Sequence, residues 1–193
     1  MSKQLRLLMD ELNTPIGTTL LVVDLQGNLR AVDWKDHLSR MLRLLRIHYG
    51  EDGVALEACH DPAGMTHALG RYFEGNVSVM DRLPVQMRGT PFQREVWSAL
   101  RTIPCGTTTS YRQLAEQIGR SAAVRAVGMA NGSNPVGIVV PCHRVIGANG
   151  SMTGYGGGIH RKLWLLEHER QHRRRTFPAR PDVNTPRTMF TRP

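Results

Sequence analysis

The sequence predicts an α/β (α+β) N-terminal domain, with a small antiparallel sheet and helices, followed by a mainly α C-terminal domain that contains a helix-turn-helix. Two observations lead to this class: strand-like segments joined by a turn lie in the first part of the chain, and helical apolar periodicity dominates the second part. A change in charge along the chain supports the same division. We expect an N-terminal domain over residues 1–86, a C-terminal domain over 87–170 and a basic, Pro/Arg-rich, flexible tail over 171–193.

Strands and helices alternate in the first part. Residues 19–24 and 29–34 are rich in Leu, Val and Trp, and Gln26-Gly27-Asn28 between them is a hairpin turn signal. Two amphipathic helices follow, ending near Gly50 and Gly75. Their predicted apolar faces are Leu38, Leu42 and Leu45 in the first helix, and Met65, Leu69 and Phe73 in the second.

The second part opens with a helix that begins at Thr90, an N-cap residue followed by Pro91, and stops at Pro104 and Gly106. Its predicted apolar face is Phe92, Val96, Leu100 and Ile103. Two short helices come next, capped by Ser110 and Ser121 and joined by a turn at Gly119 and Arg120. Their predicted apolar residues are Tyr111, Leu114, Ala115 and Ile118, then Val124 and Val127.

This helix pair has the pattern of a helix-turn-helix, although an ordinary αα-hairpin has the same spacing. Arg112, Arg120 and Arg125 share the pair with a single acid, Glu116, which favours nucleic-acid binding. Small residues fill the second helix and allow close backbone approach to a groove or to another helix. Arg125 is the long side chain near its middle, and it is either a probe inserted into DNA or a plain surface arginine.

Basic charge is concentrated in the second part of the chain. Residues 1–81 carry 8 basic and 11 acidic side chains, a net charge of −3. Residues 82–160 carry 8 arginines and 2 glutamates, and residues 161–193 carry 9 basic and 3 acidic side chains, so each segment contributes +6 to the total of +9. This distribution predicts a polyanionic partner for the second part, the alternative being that the charge only maintains solubility.

Composition and cysteine usage exclude several classes. With 40% hydrophobic and 21% charged residues, the 193-residue chain is not wholly disordered, and no apolar run approaches membrane-spanning length. The three cysteines, Cys59, Cys105 and Cys142, form no CxxC pair, which favours a reducing compartment. We therefore expect a cytoplasmic protein with no membrane partner. No metal site is predicted, because Cys59 with His60 and His67 lacks a second cysteine at ligand spacing.

The chemistry-bearing motif is Pro141-Cys142-His143-Arg144-Val145, which follows a predicted buried strand over residues 136–140. A cysteine at the end of an apolar strand is usually inert, but the positive character of His143 and Arg144 favours a thiolate. A histidine base needs an orienting acceptor, and Glu169 and Glu167 both qualify. Both lie in a last predicted helix, over residues 159–169, with an apolar face of Ile159, Leu163 and Leu166.

Several motifs together resemble the O6-alkylguanine-DNA alkyltransferases, also called methylated-DNA–protein-cysteine methyltransferases. They are Asn134-Pro135, the Cys142 motif, Gly154-Tyr155-Gly156-Gly157-Gly158 and Trp164-Leu165-Leu166-Glu167-His168-Glu169, and the similarity covers about residues 90–169. The resemblance implies a repair protein that transfers the alkyl group of O6-alkylguanine, and also of O4-alkylthymine, from double-stranded DNA to Cys142 in one irreversible turnover. It implies no cofactor, because the alkylated base is the donor, and a monomeric free protein.

The resemblance also implies roles for individual residues. Glu169, His143 and a water would form the relay that generates the thiolate, and Asn134 would hold the turn that carries the cysteine. Tyr111 would donate a hydrogen bond to the leaving purine, and Arg125 would replace the flipped nucleotide in the base stack. The other candidates for contact with DNA or substrate are Arg112, Arg120, Val145, Tyr155 and Gly156.

Gly156 stands where many relatives have Ser, so the alkyl preference differs if the hydroxyl acts there and is unaffected if the backbone N–H acts. Two further classes stay open, a helix-turn-helix regulator without catalysis and a Cys-His hydrolase. The presence of Cys142 argues against a non-catalytic damage-binding relative, and no oxyanion-hole motif supports a hydrolase.

Overall fold

The structure, a computed structural model, describes residues 4–176. Its N-terminal part contains a four-stranded sheet in the order β3-β2-β1-β4. The strands are β1 (Leu5–Thr14), β2 (Gly17–Asp24), β3 (Leu29–Trp34) and β4 (Val54–Ala58). The predicted β2–β3 hairpin is confirmed, whereas β1 and β4 were not predicted.

The sheet is mixed, whereas an antiparallel sheet was expected. Strand β2 pairs antiparallel with β1 and with β3, but β4 lies parallel to β1. The reason is the connection: helix α1 (Leu38–Tyr49) returns the chain to the end of the sheet from which β1 starts, so β4 runs in the same direction as β1.

Both faces of the sheet are buried. Residues 20–23 of β2 are 1% exposed or less, because their side chains alternate between two apolar clusters. One face packs on α1, and the other contributes Leu21, Val23 and Val32 to a core that also contains residues of the C-terminal helices. The N-terminal sheet and the C-terminal helices thus share one core, and the predicted fold class is confirmed.

The buried face of α1 differs from the predicted one. Leu45 is buried as expected, but Leu38 and Leu42 are each 38% exposed, and Met41 and Leu44 pack on the sheet in their place. The chain enters α1 from a 3-10 turn over Lys35–His37, which sets the rotation of the helix on the sheet. Helix α2 (Met65–Phe73) buries Leu69, with Met65 and Phe73 partly buried against the core as expected.

Three helices follow in the C-terminal part: α3 (Pro91–Leu100), α4 (Tyr111–Gln117) and α5 (Val124–Gly132). Thr90 and Ser110 cap α3 and α4, each within a capping box completed by a glutamine at the third helical position. The predicted cap at Ser121 is wrong. Ser121 begins a 3-10 turn that delays the start of α5 to Val124, and the N-cap residue Ala123 has no side chain to cap the helix.

Residues 136–140 are buried, but they do not form the predicted strand. Val136 makes an isolated bridge to Val32 of β3, and the chain then turns, with the Val140 N–H donating to the Val136 carbonyl at 3.0 Å. Ile138 sits at a φ of 68° inside this turn. The buried backbone is satisfied in part by local hydrogen bonds and in part by the Gly137 N–H, which donates to the Val32 carbonyl of β3 at 2.9 Å, so the apolar run needs no full strand pairing.

The last helix, α6 (Ile159–Thr176), is longer than predicted and includes the first residues of the expected tail; residues 177–193 lie outside the described part. Its predicted apolar face is wrong, because Ile159 and Leu163 are 37% and 48% exposed. The buried face is mostly polar, and it consists of Arg161, Lys162, Leu165, His168 and Glu169. Within residues 4–176, no helix has both the length and the apolarity to span a membrane.

Candidate active site

Cys142 begins a 3-10 turn (Cys142–Arg144) that follows the buried 136–140 segment, and it is 7% exposed. The side chain of Asn134 holds this segment. Its Nδ2 donates to the Val140 carbonyl at 2.8 Å and to Cys142 Sγ at 3.2 Å, and its Oδ1 accepts from the Val136 N–H at 3.0 Å. Asn134 therefore both folds the turn and touches the sulfur that the turn presents.

The surroundings of Cys142 have opposing effects on its ionisation. Burial raises the pKa of the thiol above its ordinary value, while the Asn134 hydrogen bond and the positive charges of Arg40 and Lys162 lower it. Burial prevails, so Cys142 is protonated in the resting protein at neutral pH. A group that accepts the thiol proton is needed before the sulfur can act as a nucleophile.

His143 has the form of such a group. Its ring is fully buried, and Nε2 lies 2.9 Å from Oε1 of Glu169. A carboxylate only accepts hydrogen bonds, so Nε2 carries the hydrogen and Nδ1 is the basic nitrogen. Nδ1 is buried and has no hydrogen-bond partner among residues 4–176. Burial also lowers the pKa of His143, against the opposing effect of Glu169, so the imidazole is neutral and able to take a proton.

Glu169 is fully buried and accepts hydrogen bonds from several parts of the chain. Its donors are His143 Nε2 and Arg144 Nε and Nη2 at 2.9 Å each, the Tyr72 hydroxyl at 3.0 Å and the Gly106 N–H at 3.1 Å. Burial acts to raise the pKa of Glu169, but His143 and Arg144 hold it well below its ordinary value. The carboxylate is therefore ionised and orients the His143 ring.

The structure decides between the two glutamates that the sequence left open. Glu167 is exposed on α6 and accepts hydrogen bonds from Arg170 and Gln171, far from the buried network. Two side-chain partners of Glu169, Arg144 and Tyr72, were not predicted, nor was the Gly106 N–H. The position of Arg144 directly after His143 was a sequence signal that could have indicated its contact with the glutamate. Tyr72 lies 97 positions before Glu169, and no sequence signal indicated its contact.

A narrow cleft opens beside Cys142. Its lining includes Gly137, Ile138, Tyr155 and Gly156 from the C-terminal part, and Trp34 and Arg40 from the N-terminal part. The structure thus places two predicted substrate residues, Tyr155 and Gly156, near the sulfur. Val145 lies in the two-residue strand β6 (Val145–Ile146), which pairs with β5 (Thr109–Ser110), and its side chain is completely buried.

The other candidates for DNA contact lie on α4, on α5 and in the turn between them, outside the buried network. Arg112 and Arg125 are exposed, and Arg120 lies 3.6 Å from Glu95 in a surface ion pair. Tyr111, at the start of α4, accepts a hydrogen bond from the Thr153 hydroxyl at 3.0 Å. An exposed basic helix pair is therefore joined to the Cys142 cleft through the end of α5, which contributes Asn131 and Gly132 to the lining.

A buried cysteine beside a histidine–carboxylate pair, at the end of a basic helix pair, is the arrangement of a cysteine-dependent transferase that acts on DNA. The family model described as "6-O-methylguanine DNA methyltransferase, DNA binding domain" matches residues 91–171. The methylated-DNA–protein-cysteine methyltransferase of Shigella flexneri is 56% identical over 165 residues, which cover 86% of this chain and 96% of that protein. The corresponding protein of Salmonella typhimurium is 54% identical with the same coverage.

Solved structures of such methyltransferases are also similar to this chain. Mycobacterium tuberculosis OGT in complex with DNA matches with a TM-score of 0.70 and 38% identity, over 86% of this chain and 94% of that one. The O6-methylguanine-DNA methyltransferase of Pyrococcus kodakaraensis matches with a TM-score of 0.60 and 26% identity, over 84% of this chain and 98% of that one. The chain therefore belongs to the methylated-DNA–protein-cysteine methyltransferase family, and the resemblance seen in the sequence is confirmed.

Proposed function

We propose that this protein repairs DNA by transferring the alkyl group from O6 of guanine in double-stranded DNA to Sγ of its own Cys142, once per molecule. The observation that carries the assignment of residues is the Glu169–His143 pair, which ends in a basic nitrogen that has no hydrogen-bond partner within residues 4–176 and belongs to the residue next to Cys142 in the chain. A neutral base held by a buried carboxylate is suited to remove the thiol proton.

In the proposed step, the Cys142 proton passes to His143 Nδ1 through a water. The bond from sulfur to the alkyl carbon forms while the bond from that carbon to O6 breaks. Guanine leaves and takes up one proton, which balances the proton that the thiol lost, and the Tyr111 hydroxyl donates a hydrogen bond to the purine as it departs. The thioether that remains cannot ionise, so the protein is consumed.

The test is the mass of the protein after mixing with a duplex that contains one O6-methylguanine. We expect a gain of one methyl in place of hydrogen, located on the Cys142 peptide, and no further gain from a second portion of duplex. A regulator without catalysis would bind the duplex at unchanged mass. A hydrolase would leave both the protein mass and the damaged base unchanged.

A base paired in the duplex keeps its O6 alkyl carbon inside the stack, so we propose that the nucleotide is flipped into the Cys142 cleft, at a cost of a few kcal/mol. Arg125 would fill the gap. It is exposed on α5 among small residues that allow close approach to the groove. Arg112 and Arg120 would contact phosphates, which adds a salt-dependent contribution to affinity.

We expect Arg125→Ala to slow repair of O6-methylguanine in duplex DNA by at least about tenfold, because the flipped state loses the side chain that replaces the base. Reaction with the free base needs no flipping and should be unchanged. Single-turnover rates on both substrates measure this, with Arg112→Ala as the matched exposed arginine on α4, expected to weaken damaged and undamaged duplexes alike. Equal losses on duplex and free base for Arg125→Ala would mean that Arg125 supports the fold instead.

In a His143→Ala variant, which lacks the proposed base, the rate of methyl transfer from the free base should rise as pH increases from about 6 to about 9, because burial raises the pKa of Cys142 above the ordinary value for a thiol, about 8.5. The thiolate fraction then grows throughout this range. Asn134→Ala removes the hydrogen bond to Sγ and should move the profile to higher pH. In the wild-type protein, neutral His143 accepts the thiol proton across this range, so the rate should depend much less on pH, and a wild-type rate that rises as steeply as that of His143→Ala would contradict the relay.

The domain boundary near residue 86, a cytoplasmic location and a monomeric free protein stay predictions. The boundary is open to limited proteolysis and the oligomeric state to sedimentation. Neither outcome bears on the transfer chemistry, because every residue of the proposed relay lies in the second part of the chain.

A further inference from the structure

The cleft beside Cys142 is almost closed. Its free volume is about 20 Å³, which is room for about one water molecule. An alkylated guanine cannot reach the sulfur unless a group in the lining moves. Most of the lining is backbone or packed core. Val32 and Ile138 are each 1% exposed, and the Gly137 N–H donates to the Val32 carbonyl.

Arg40 is the long, flexible and positively charged side chain in this lining. It projects from α1, in the N-terminal part, and its side chain is 21% exposed. Nη2 lies 2.9 Å from Oδ1 of Asp33, a buried carboxylate on β3. Nε is buried and has no hydrogen-bond partner among the described residues, so the ion pair with Asp33 holds the guanidinium on one side only.

Gly156 lies directly under this guanidinium. A Cβ placed on Gly156 would lie 2.2 Å from Arg40 Nη1 and 2.5 Å from Arg40 Cζ, and its third-nearest atom is also on Arg40. The three atoms nearest to this Cβ all belong to the end of the Arg40 side chain, so a side chain at position 156 would first meet Arg40. The glycine at this position is what lets Arg40 lie over the cleft.

Given the proposed function, on which this inference rests, we propose that Arg40 is a specificity-determining residue that limits the size of the O6-alkyl group. The attacked carbon must approach Cys142, and a substituent longer than methyl extends from that carbon into the part of the cleft that Arg40 occupies. Displacing Arg40 breaks its ion pair with buried Asp33, and leaving it in place sets a charged group against an apolar substituent. Methyl needs the least of this space, so the protein discriminates against bulky groups.

The test compares single-turnover rates for two free bases, O6-benzylguanine and O6-methylguanine, in the wild-type protein and in Arg40→Ala. We expect the ratio of the benzyl rate to the methyl rate to rise by about tenfold or more in Arg40→Ala, the size typical of steric discrimination in a pocket. Arg40 also favours the Cys142 thiolate, but that effect changes both rates equally and cancels in the ratio. Arg43→Ala, an exposed arginine one turn along α1, is the matched control and should leave the ratio unchanged. An unchanged or smaller ratio in Arg40→Ala overturns the proposal.

Two further variants keep the test decisive. Gly156→Ser should lower the benzyl rate strongly when Arg40 is present and much less in the Arg40→Ala background, because the three atoms nearest to the added Cβ are all on Arg40. Equal effects in both backgrounds would refute the coupling. If loss of the ion pair unfolds Arg40→Ala, the double variant Asp33→Asn/Arg40→Ala takes its place in the test. This variant removes the buried charge and keeps an Oδ1 acceptor for the Trp34 N–H.

The wild-type protein separates this inference from the proposed function. If O6-methylguanine base adds no methyl to Cys142 by mass, the proposed function fails. If the methyl is added and the ratio does not respond to Arg40→Ala, only the inference about Arg40 fails.

Discussion

Cys142→Ala is expected to abolish alkyl transfer completely while duplex binding persists. The substitution removes the only atom proposed to bond to the alkyl carbon, but it leaves the turn intact, because Asn134 still donates to the Val140 carbonyl. The arginines proposed to contact DNA lie on α4, on α5 and in the turn between them, outside the buried network. Intact mass after incubation with O6-methylguanine duplex measures transfer, and fluorescence anisotropy measures binding.

The other two cysteines are the controls. Burial and then the charge of Glu169 raise the pKa of Cys105 to about 12, so this thiol is protonated and is not a nucleophile at neutral pH. Cys59 makes a weak contact with the His60 carbonyl at 3.8 Å, on the surface of the N-terminal part. Cys59→Ala should behave as wild type, and Cys105→Ser should retain the methylated product. Methyl transfer by Cys142→Ala would show that another residue is the nucleophile.

Glu169→Gln is expected to lower both the transfer rate and the stability. Without the carboxylate, His143 loses the acceptor that orients its ring, and general-base catalysis of this kind contributes about 10²–10⁴-fold in rate. Arg144, 2% exposed, loses its charge partner, and breaking a buried pair typically costs about 3–5 kcal/mol. Single-turnover kinetics and urea denaturation measure the two effects.

The stability of the folded protein at acidic pH should also depend on the Glu169 carboxylate. The pKa of Glu169 is lowered in the folded protein, so its contribution to stability is complete above the unfolded pKa of about 4.3 and is lost as pH falls further, through the lowered folded pKa. Glu169→Gln should remove this part of the acid sensitivity. Glu167→Gln, on the exposed side of the same helix, is the control and should change stability by less than about 0.5 kcal/mol. Wild-type stability and rate in Glu169→Gln would contradict the relay.

Local signals determined much of the fold. The β2–β3 hairpin, the starts of α3 and α4 and the end of α1 follow from turn, capping and glycine signals that act within a few residues. The motif around Cys142 likewise indicated the family. These features could be read from the sequence because their free energy comes from neighbours in the chain.

Only the tertiary structure decided which faces of α1 and α6 are buried. Helix α6 shows this best, because its core-facing side carries Arg161, Lys162 and Glu169, which no apolar pattern selects. Charged side chains are stable there because their partners come from elsewhere: Arg161 donates to the Ile16 carbonyl, and Lys162 to that of Val145. Hydrophobic periodicity assumes that buried means apolar, and it fails where buried charges are paired.

For the candidate active site, too, some features followed from the sequence and others only from the tertiary structure. Residue types and spacing predicted that Cys142, His143 and a nearby glutamate act together. The choice of Glu169 over Glu167, the support from Tyr72 and the position of Arg40 over Gly156 depended on contacts between distant parts of the chain. One sequence carries no distances, and two glutamates two positions apart on a helix point in different directions, so only packing determines which of them meets the histidine.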